Sequence, residues 1–389
     1  MRRVLLIVAT AAIGCLVAAA SASASSIVFI NGGNIWLSSP DGSLQRQVTT
    51  DGGYSSPSQA DDGNVVALHN GQFVHLDRHG NLLGPPVNGL QGVAGGTVAL
   101  GPWDPRVSPD DSKIAYDIGV VSTMWDWTCN CYQQTTEYET LYTDVGQFTD
   151  PSVYGVIRDY SSPSWIDDQH TLLTANGIGI DQFAVHLLGG GDTDPTHFSQ
   201  WFSDNSSPQM AKAELTRAGD KLVVLAGQAA ENIGIYSLPA PPLSSQTPTL
   251  KCVINEPGAT GNNYDDPTWS PDGTKLAYAQ AAGIYVTPVG NIAGGDCSSI
   301  TPQLVIPGGG QPFWGPADVT PTDGTQSAGT GSIGTGHPVG TGQPGIPSQP
   351  TGANVQSTGK QHTVVPAVCR RTEGHRHHHR CRAPKRRKR

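Results

Sequence analysis

One unit of sequence recurs along this chain and limits the folds that it can adopt. The unit is sharpest at residues 265–286, where the triplet Pro271-Asp272-Gly273 separates an extended segment from two short runs of apolar and β-branched residues. Proline fixes φ, aspartate accepts hydrogen bonds from nearby backbone, and glycine tolerates positive φ, so the triplet is typical of a tight turn. The unit therefore predicts a β-hairpin followed by a third strand. Such a unit is too small to bury its own faces and needs copies of itself.

Five further copies align with this unit. With Pro267 as the reference, the same column holds Pro57, Pro105, Pro163, Ala213 and Pro312. Successive copies are 48, 58, 50, 54 and 45 residues apart, which is about the period of a four-stranded propeller blade. The column two residues later contains three tryptophans that we assign to the blade cores: Trp165, Trp269 and Trp314.

The two ends of the repeated region are incomplete in complementary ways. Near the start, residues 27–30, 34–37 and 44–48 resemble the second, third and fourth strands of a blade that has no first strand. The copy at Pro312 has a first strand, but low-complexity sequence begins soon after Asp318. We therefore predict an all-β fold, a six-bladed β-propeller of four-stranded antiparallel blades followed by a disordered tail. N- and C-terminal strands share one blade and close the ring.

A family resemblance is carried by Trp-Ser-Pro-Asp-Gly at 269–273 followed by Lys-Leu-Ala-Tyr at 275–278. This run resembles the repeat of the TolB-like six-bladed β-propellers, which are similar in architecture to the WD-repeat propellers. The resemblance covers residues 26–320. It implies the propeller fold and, because TolB-like propellers are mostly binding modules and many are appended to enzymes, it supports a function only loosely.

The first 24 residues have the pattern of a signal peptide. Two arginines precede an apolar run at 4–20, and small residues at 22–24 fit cleavage before Ser25. A membrane anchor is a weaker alternative because the run is short and no basic cluster follows it. Lipoprotein processing at Cys15 is a further alternative. We expect a secreted protein or one of the periplasm or cell envelope.

Six cysteines remain after such processing and fall into local pairs. Export permits disulfides. Cys252 and Cys297 lie near the outer strands of adjacent predicted blades, and we predict a disulfide between them. Cys129 and Cys131 form either a small ring or two free thiols, and the state of the pair at 369 and 381 is left open.

An aromatic insertion, residues 121–132, joins the second and third predicted strands of its blade. In a propeller, such joins emerge on the same rim as the connections between blades. Loops on a rigid scaffold often form recognition surfaces, and tryptophan and tyrosine are good anchors. We assign the candidate ligand-binding residues to this rim: Tyr54, Asp104, Trp125, Trp127, Tyr160, Tyr264, Asp265 and Asp266. The alternative is structural, with the tyrosines packed between blades and the tryptophans plugging the insertion onto the rim.

Paired acids occur at 61–62, 110–111, 167–168 and 265–266. The first three belong to repeated turns, where aspartate bonds to the backbone. Asp104, Asp265 and Asp266 lie on the other rim and are the better candidates for a metal such as calcium. A transition-metal site in the His-rich tail is another alternative. We expect neither a metal site nor a cofactor.

Reaction signatures are absent from the sequence, including Gly-x-Ser-x-Gly, His-Glu-x-x-His and the phosphate-binding glycine loop. The predicted inner strands hold mostly Ser, Pro, Gln, Val and Trp, whereas a propeller enzyme needs converging acids or histidines. We therefore predict no catalytic residues and no enzyme. The predicted function is a binding or scaffold propeller for a protein, peptide or envelope polymer. The alternative is a lyase or hydrolase acting on a sugar or lactone at the central channel.

Charge is divided unequally along the chain. From Lys360 onward there are 11 Lys or Arg and one acid, whereas residues 1–359 contain 12 Lys or Arg and 31 acids, a formal charge of −19.

Residues 320–361 are rich in Gly, Thr, Ser, Pro and Gln and predict a flexible linker. The domains are a signal peptide (1–24), a propeller (25–319), the linker (320–361) and a basic tail (362–389). We expect a monomer with an envelope protein or polymer as partner. The tail should bind an anionic surface and no specific nucleic acid.

Overall fold

The structure is a computed structural model. It describes residues 25–90, 98–147, 154–175, 179–185, 198–203, 210–227, 231–239, 246–255 and 264–320. These residues belong to one compact unit, Met1–Gln326. The predicted signal peptide, the linker beyond Thr320, the basic tail and the cysteines at 369 and 381 lie outside the described residues. Within the described ranges, no helix is long and apolar enough to cross a membrane.

The described residues form six four-stranded antiparallel sheets, which we number as blades in chain order. Blade 1 contains β4 (Tyr54–Gln59), β5 (Val65–His69), β6 (Gln72–Leu76) and β7 (Val87–Asn88). Blade 2 contains β8 (Val98–Val107), β9 (Lys113–Asp126), β10 (Cys131–Asp144) and β11 (Val156–Arg158). Blade 3 contains β12 (Tyr160–Asp167), β13 (His170–Ala175), β14 (Gly179–Ala184) and β15 (Phe198–Ser203).

The remaining blades follow the same order of strands from the inside outward. Blade 4 contains β16 (Met210–Leu215), β17 (Lys221–Ala226), β18 (Asn232–Ser237) and β19 (Thr249–Ile254). Blade 5 contains β20 (Asp265–Trp269), β21 (Lys275–Gln280), β22 (Gly283–Pro288) and β23 (Gln303–Pro307). Blade 6 combines the two ends of the described chain, with β24 (Gly310–Gly315) inside β1 (Ser26–Asn31), β2 (Asn34–Ser38) and β3 (Gln45–Gln47).

The ring closes through blade 6. Strand β24 pairs with β1, with Trp314 opposite Ile27 and Phe313 opposite Val28. The innermost strands contact one another in the order β4, β8, β12, β16, β20, β24 and back to β4. The predicted all-β propeller, closed by N- and C-terminal strands in a shared blade, is therefore confirmed. In a ring of six blades, blade 1 lies opposite blade 4 and blade 2 lies opposite blade 5.

The second strand of each blade is buried on both faces, because neighbouring blades cover both sides of its sheet. This explains why β5, β17 and β21 are continuous apolar runs instead of alternating ones. Hydrophobic clusters fill the space between blades; one joins Leu276 and Tyr278 of blade 5 to Val223 and Ile235 of blade 4. Burial between blades therefore holds the ring together.

Tryptophan side chains connect successive inner strands by donating hydrogen bonds to backbone carbonyls. Trp165 Nε1 donates to the Arg106 carbonyl at 2.7 Å, and Trp269 Nε1 donates to the Glu214 carbonyl at 3.0 Å. Trp314 is 4% exposed and belongs to the cluster between blades 5 and 6. The tryptophan column therefore has the structural role that its position in the repeat predicts.

The aromatic insertion differs from the expected loop. Strands β9 and β10 pair without interruption from Lys113 opposite Asp144 to Asp126 opposite Cys131. Residues 118–138 thus form a regular hairpin, because β-branched and aromatic residues dominate them and favour strands. Asn130 takes a positive φ of 50° in the turn.

Two disulfides occur in the described residues. Cys252 and Cys297 are bonded with their Cα atoms 5.8 Å apart, in the predicted pairing. Cys252 is 2% exposed and lies in the cluster between blades 4 and 5. Cys129 and Cys131 close the small ring that the sequence left as one of two alternatives, with Cα atoms 5.3 Å apart.

Candidate functional site

Each of the six inner strands carries a strained residue at the same position of the repeat. The residue directly before the proline column has a positive φ of 43° to 58° in every blade. The strand register shifts at or beside each of these positions, which marks a β-bulge. We call this set the bulge ring: Ser56, Asp104, Ser162, Lys212, Asp266 and Gln311. Positive φ at a residue other than glycine costs free energy and is often found at functional sites.

An ion pair between Arg106 and Asp266 of the bulge ring crosses the central channel. Arg106 of blade 2 donates from Nη2 to Asp104 Oδ1 at 2.7 Å and to Asp266 Oδ1 of the opposite blade 5 at 3.0 Å. The three side chains are 7% to 16% exposed. The guanidinium also lies over the ring of Phe313, with Cζ 5.7 Å from the ring centroid.

A second cation, Lys212 of blade 4, binds Asp266 and the adjacent Asp265. Lys212 Nζ donates to Asp265 Oδ1 at 2.5 Å and to Asp266 Oδ1 at 2.8 Å. Asp266 thus accepts from two cations at one oxygen. We call Asp104, Arg106, Lys212, Asp265 and Asp266 the channel mouth.

The charges of the channel mouth stabilise one another. Burial alone would lower the pKa of Arg106 and of Lys212, but the neighbouring aspartates outweigh it and raise both pKa values. Burial alone would raise the pKa of Asp266, but Lys212 and Arg106 outweigh it and lower it. The mouth holds two cations and three carboxylates, so it has an excess of negative charge. Asp265, with half of its side chain exposed, presents that excess to solvent.

A second ion pair crosses the channel at its other end. Arg217, in the turn after β16, donates from Nη1 to Asp61 Oδ2 at 2.8 Å. Asp61 lies in the turn after β4, so this pair connects opposite blades 4 and 1. Both side chains are almost half exposed. The channel therefore has a buried ion pair near one rim and an exposed one at the other.

Two buried carboxyl groups near the mouth bind their protons unusually tightly. Burial, with the nearby Asp104 charge, raises the pKa of Asp117 to about 8, although Ser162 N and Thr140 Oγ1 donate to it at 2.7 Å. Burial also raises the pKa of Glu214 to about 7, although Trp269 N donates to it at 2.8 Å.

A cavity of about 290 Å³ lies between the mouth and the exposed ion pair. Its lining includes Asp104, Arg106, Lys212, Glu214 and Asp266 from the inner strands. This is near the lower limit for a small-molecule site. The cavity can receive one long side chain or one small polar molecule.

The predicted site residues separate into two groups. Asp104, Asp265 and Asp266 meet at the channel mouth. The sequence reasoning missed Arg106, Lys212 and Glu214, although each lies one residue before or after the proline column. The described residues contain no group of three or more His, Cys, Asp or Glu suited to a metal ion.

The three predicted tyrosines pack within or between the blades. Tyr54 stacks on His69 with ring centroids 4.2 Å apart. Tyr160 donates its hydroxyl to Asp181 Oδ2 at 2.7 Å. Tyr264 is 2% exposed and packs edge-on against Tyr278. These contacts fit the structural alternative that the sequence left open.

The two predicted tryptophans lie at the tip of the β9–β10 hairpin. Trp127 is 85% exposed. Trp125 contacts Trp127 and Tyr132 edge-on, with ring centroids 6.0 Å and 4.8 Å apart. The tip is on the rim where the inner strands begin. The inner strand β8 begins at Val98, opposite Val121, and the hairpin continues beyond that pair to Asp126 opposite Cys131. The tryptophans are therefore far along the hairpin from the blade instead of plugging it onto the rim.

No protein-family model and no curated protein matches this chain. Among solved structures, TolB from Acinetobacter baumannii is 14% identical, with 75% of this chain and 66% of that chain covered and a TM-score of 0.44. A gluconolactonase from Xanthomonas campestris is 13% identical, with 68% and 82% covered and a TM-score of 0.41. The Cps50 (Swd1) β-propeller domain from Myceliophteria thermophila is 13% identical, with 69% and 84% covered and a TM-score of 0.40.

These similarities concern the fold alone. The propeller expected from the repeat is confirmed as a fold, since the described sheets form such a ring. The prediction that the chain is not an enzyme is corrected. Lactonase propellers match the chain alongside TolB, so this fold gives no ground for excluding an enzyme. The premise of that prediction also fails, because four acids of inner strands line one cavity: Asp104, Asp167, Glu214 and Asp266.

The two ion pairs that cross the channel differ in burial, which predicts different contributions to stability. Replacing Arg106 with Met leaves Asp104 and Asp266 buried without their shared cation, and we expect a loss of about 3 to 5 kcal/mol. Replacing Arg217 with Met affects an exposed pair and should cost less than about 1 kcal/mol. Urea unfolding of the two variants measures both values. Equal losses would contradict the inferred importance of the buried pair.

The pKa of Asp117 predicts how stability changes with pH. Its ordinary pKa is 3.8 and its folded value is about 8, so between these values the folded state keeps a proton that the unfolded state has lost. The contribution of Asp117 to the free energy of unfolding is therefore full below pH 3.8 and is lost as the pH rises through 8. From pH 5 to 8, the free energy of unfolding of the wild type should fall by up to about 1 kcal/mol per pH unit relative to that of Asp117→Asn.

Denaturant unfolding at pH 5, 6, 7 and 8 tests this expectation. Asp110→Asn is the matched control, because hydrogen bonds from Ser108 and Ser112 outweigh burial and lower the Asp110 pKa, so its contribution is constant over this range. Parallel curves for the wild type and Asp117→Asn would show that Asp117 is ionised in the folded protein.

Proposed function

We propose that this protein is an exported recognition propeller that binds an extended segment of a protein or peptide partner at the channel mouth. The observation that carries the proposal is the concentration of strained, charged residues there. Asp104, Lys212 and Asp266 all have positive φ on three different inner strands. Strain of this kind persists where the surrounding structure enforces it, and it clusters at sites of function.

The charge of the mouth indicates which group of a partner it receives. Three carboxylates surround two cations, and Asp265 is the most exposed of the three. A lysine, an arginine or a free amino terminus of the partner adds the missing positive charge. The cavity of about 290 Å³ behind the mouth has room for one long side chain. A basic residue in an extended segment therefore fits this site.

Two further features support export and attachment to the envelope. Two disulfides are typical of an oxidising compartment. The leader pattern at 1–24 fits such a location. The basic residues from Lys360 onward would attract the acidic protein to an anionic surface, at about 1 kcal/mol for each cation that engages a membrane.

A displayed peptide library selected on the immobilised full chain tests recognition at the mouth. We expect selection of peptides with a lysine, an arginine or a basic amino terminus at one fixed position. Asp265→Asn should weaken their binding by about tenfold, the loss of one charge-assisted contact. Asp62→Asn, an exposed acid in a turn on the other rim, is the matched control. Acidic or random selected sequences, or equal binding by Asp265→Asn, would refute the site.

Fractionation of producing cells tests the tail in the same set of proteins. Deleting residues 360–389 should release the chain from the envelope fraction without changing peptide binding or the melting temperature. Retention of the shortened chain would show that the tail is not the attachment. A lower melting temperature would show that the tail packs on the propeller.

A second candidate function is hydrolysis of a sugar lactone in the cavity. The observation that favours it is Glu214, a cavity-lining carboxyl whose burial raises its pKa to about 7, in the range useful for general acid or base catalysis. Titration of acid released from glucono-δ-lactone measures this activity. If it is present, Glu214→Gln should lower the rate by at least about 10²-fold, whereas Asp62→Asn should not. No release above the spontaneous rate would reject this candidate.

A further inference from the structure

The β9–β10 hairpin projects beyond the body of the propeller. Its base is at Asp117 opposite Thr140, where Asp117 accepts from Ser162 of the bulge ring. Residues 118–138 continue past this level; we call them the aromatic arm. Residues 118–121 are still held by the blade, because Ile118 and Val120 are buried and β8 pairs with 119–121. The part of β9 beyond them, residues 122–126, reaches roughly 17 Å at about 3.3 Å per residue.

The two faces of the arm have different chemistry. Residues directly opposite in an antiparallel pair lie on the same face. The register therefore assigns one face, the neutral face, to Gly119, Val121, Thr123 and Trp125 with Tyr138, Thr136, Gln134 and Tyr132. The other face has Met124 near the tip and both acids of the arm, Asp126 and Glu137.

Aromatic rings lie at both ends of the neutral face. Near the base, Trp103 packs beside Tyr138 with ring centroids 6.3 Å apart. A Cβ at Gly119 would be 3.1 Å from the Trp103 ring, so glycine allows the indole to lie close to the strand. Near the tip, Trp125 contacts Tyr132 at 4.8 Å. Tyr138 is six positions after Tyr132, which is roughly 20 Å along the strand.

The surface between the rings is polar, uncharged and open. Thr123, Gln134 and Thr136 supply hydroxyl and amide groups. Tyr132 is 72% exposed, and residues 131–138 are exposed throughout. A monomeric protein seldom exposes so many aromatic rings on one surface unless that surface has a partner.

The charge of the arm excludes several partners. Residues 118–138 contain no lysine or arginine. Nucleic acids and anionic lipid headgroups are bound mainly through such cations. An acidic polymer would also be repelled by a protein with 32 acids against 23 basic residues. The complementary occupant is an uncharged polymer with apolar faces for the rings and hydroxyl groups for the threonines and glutamine.

We propose that the neutral face of the aromatic arm binds an extended, uncharged polysaccharide. The C–H faces of sugar rings stack on the aromatic pairs at the two ends. The intervening sugar hydroxyls exchange hydrogen bonds with Thr123, Gln134 and Thr136. This site shares no residue with the channel mouth and does not depend on the function proposed there.

Affinity electrophoresis of the full chain in native gels tests the proposal. The gels contain hydroxyethyl cellulose, laminarin or galactomannan, with polygalacturonate as the charged control polymer. At least one neutral polymer should retard the wild type more than polygalacturonate does. Tyr132→Ala and Tyr138→Ala should each weaken that retardation at least about fivefold, the loss expected for about 1 kcal/mol. Tyr132→Phe, which keeps the ring, should restore most of it.

Variants of the other face are the matched controls. Met124→Ala and Glu137→Gln alter exposed side chains of the same arm and should leave the retardation unchanged. Equal melting temperatures verify that each variant is folded. No retardation by any of the three neutral polymers, or equal retardation of the wild type and Tyr132→Ala, would overturn the proposal. In the described structure, β11 pairs only with 139–141 of β10, so the outer edge of residues 131–138 would then be the candidate for strand addition by a peptide.

Discussion

The buried ion pair between Arg106 and Asp266 is the interaction on which the centre of this propeller depends. It joins blades that face each other across the channel. The distance between the two charged groups therefore depends on the diameter of the ring as well as on the structure of each blade. Buried charges are tolerated only when they are paired and hydrogen-bonded. Asp104 and Lys212 complete that pairing from two other positions in the ring. A change in the packing between any two blades therefore alters the electrostatics of the mouth. In this way the apolar clusters between blades and the polar centre constrain each other.

The bulge ring has a conformational cost that the rest of the fold must offset. Six residues with positive φ cost of order 1 to 3 kcal/mol each. Contacts between neighbouring inner strands compensate: Val107 N donates to Ser58 Oγ, Trp269 N to Glu214 Oε1, and Trp314 N to Thr268 Oγ1. Each bulge in turn changes the direction of one side chain, and Asp104, Ser162, Lys212 and Asp266 line the cavity as a result. The repeat thus supplies one backbone geometry six times, and four types of side chain occupy that position: serine, aspartate, lysine and glutamine.

Local signals were enough to predict the fold. The turn triplet and the short strands beside it depend on residues close together in sequence, and aligning their copies gives the spacing of the proline column and the complementary ends that led to a closed propeller. The site was less accessible. The strained residues precede proline in five blades, where the left-handed conformation is not expected, and none of the six is a glycine that would signal it. Arg106 and Asp266 are 160 residues apart, and only ring closure brings them together. The alignment nevertheless contained a signal, since charged residues recur beside the proline column at Asp104, Arg106, Lys212, Glu214 and Asp266.

The channel mouth and the aromatic arm lie at the same side of the propeller but differ in what they demand of a ligand. The mouth is enclosed, charged and held by contacts from several blades, whereas the neutral face of the arm is open, uncharged and formed by one hairpin of blade 2. An isolated two-stranded hairpin is marginally stable in water, so the edge-on contacts of Trp125 with Trp127 and Tyr132 and the Cys129–Cys131 bond help to explain how the tip keeps its form. On the two proposals together, a polysaccharide held on the arm and a peptide held at the mouth bind independently unless they belong to one assembly. If they do, attachment at one site raises the effective concentration of the other ligand. The free part of the arm, roughly 17 Å long, then sets the distance over which that advantage applies.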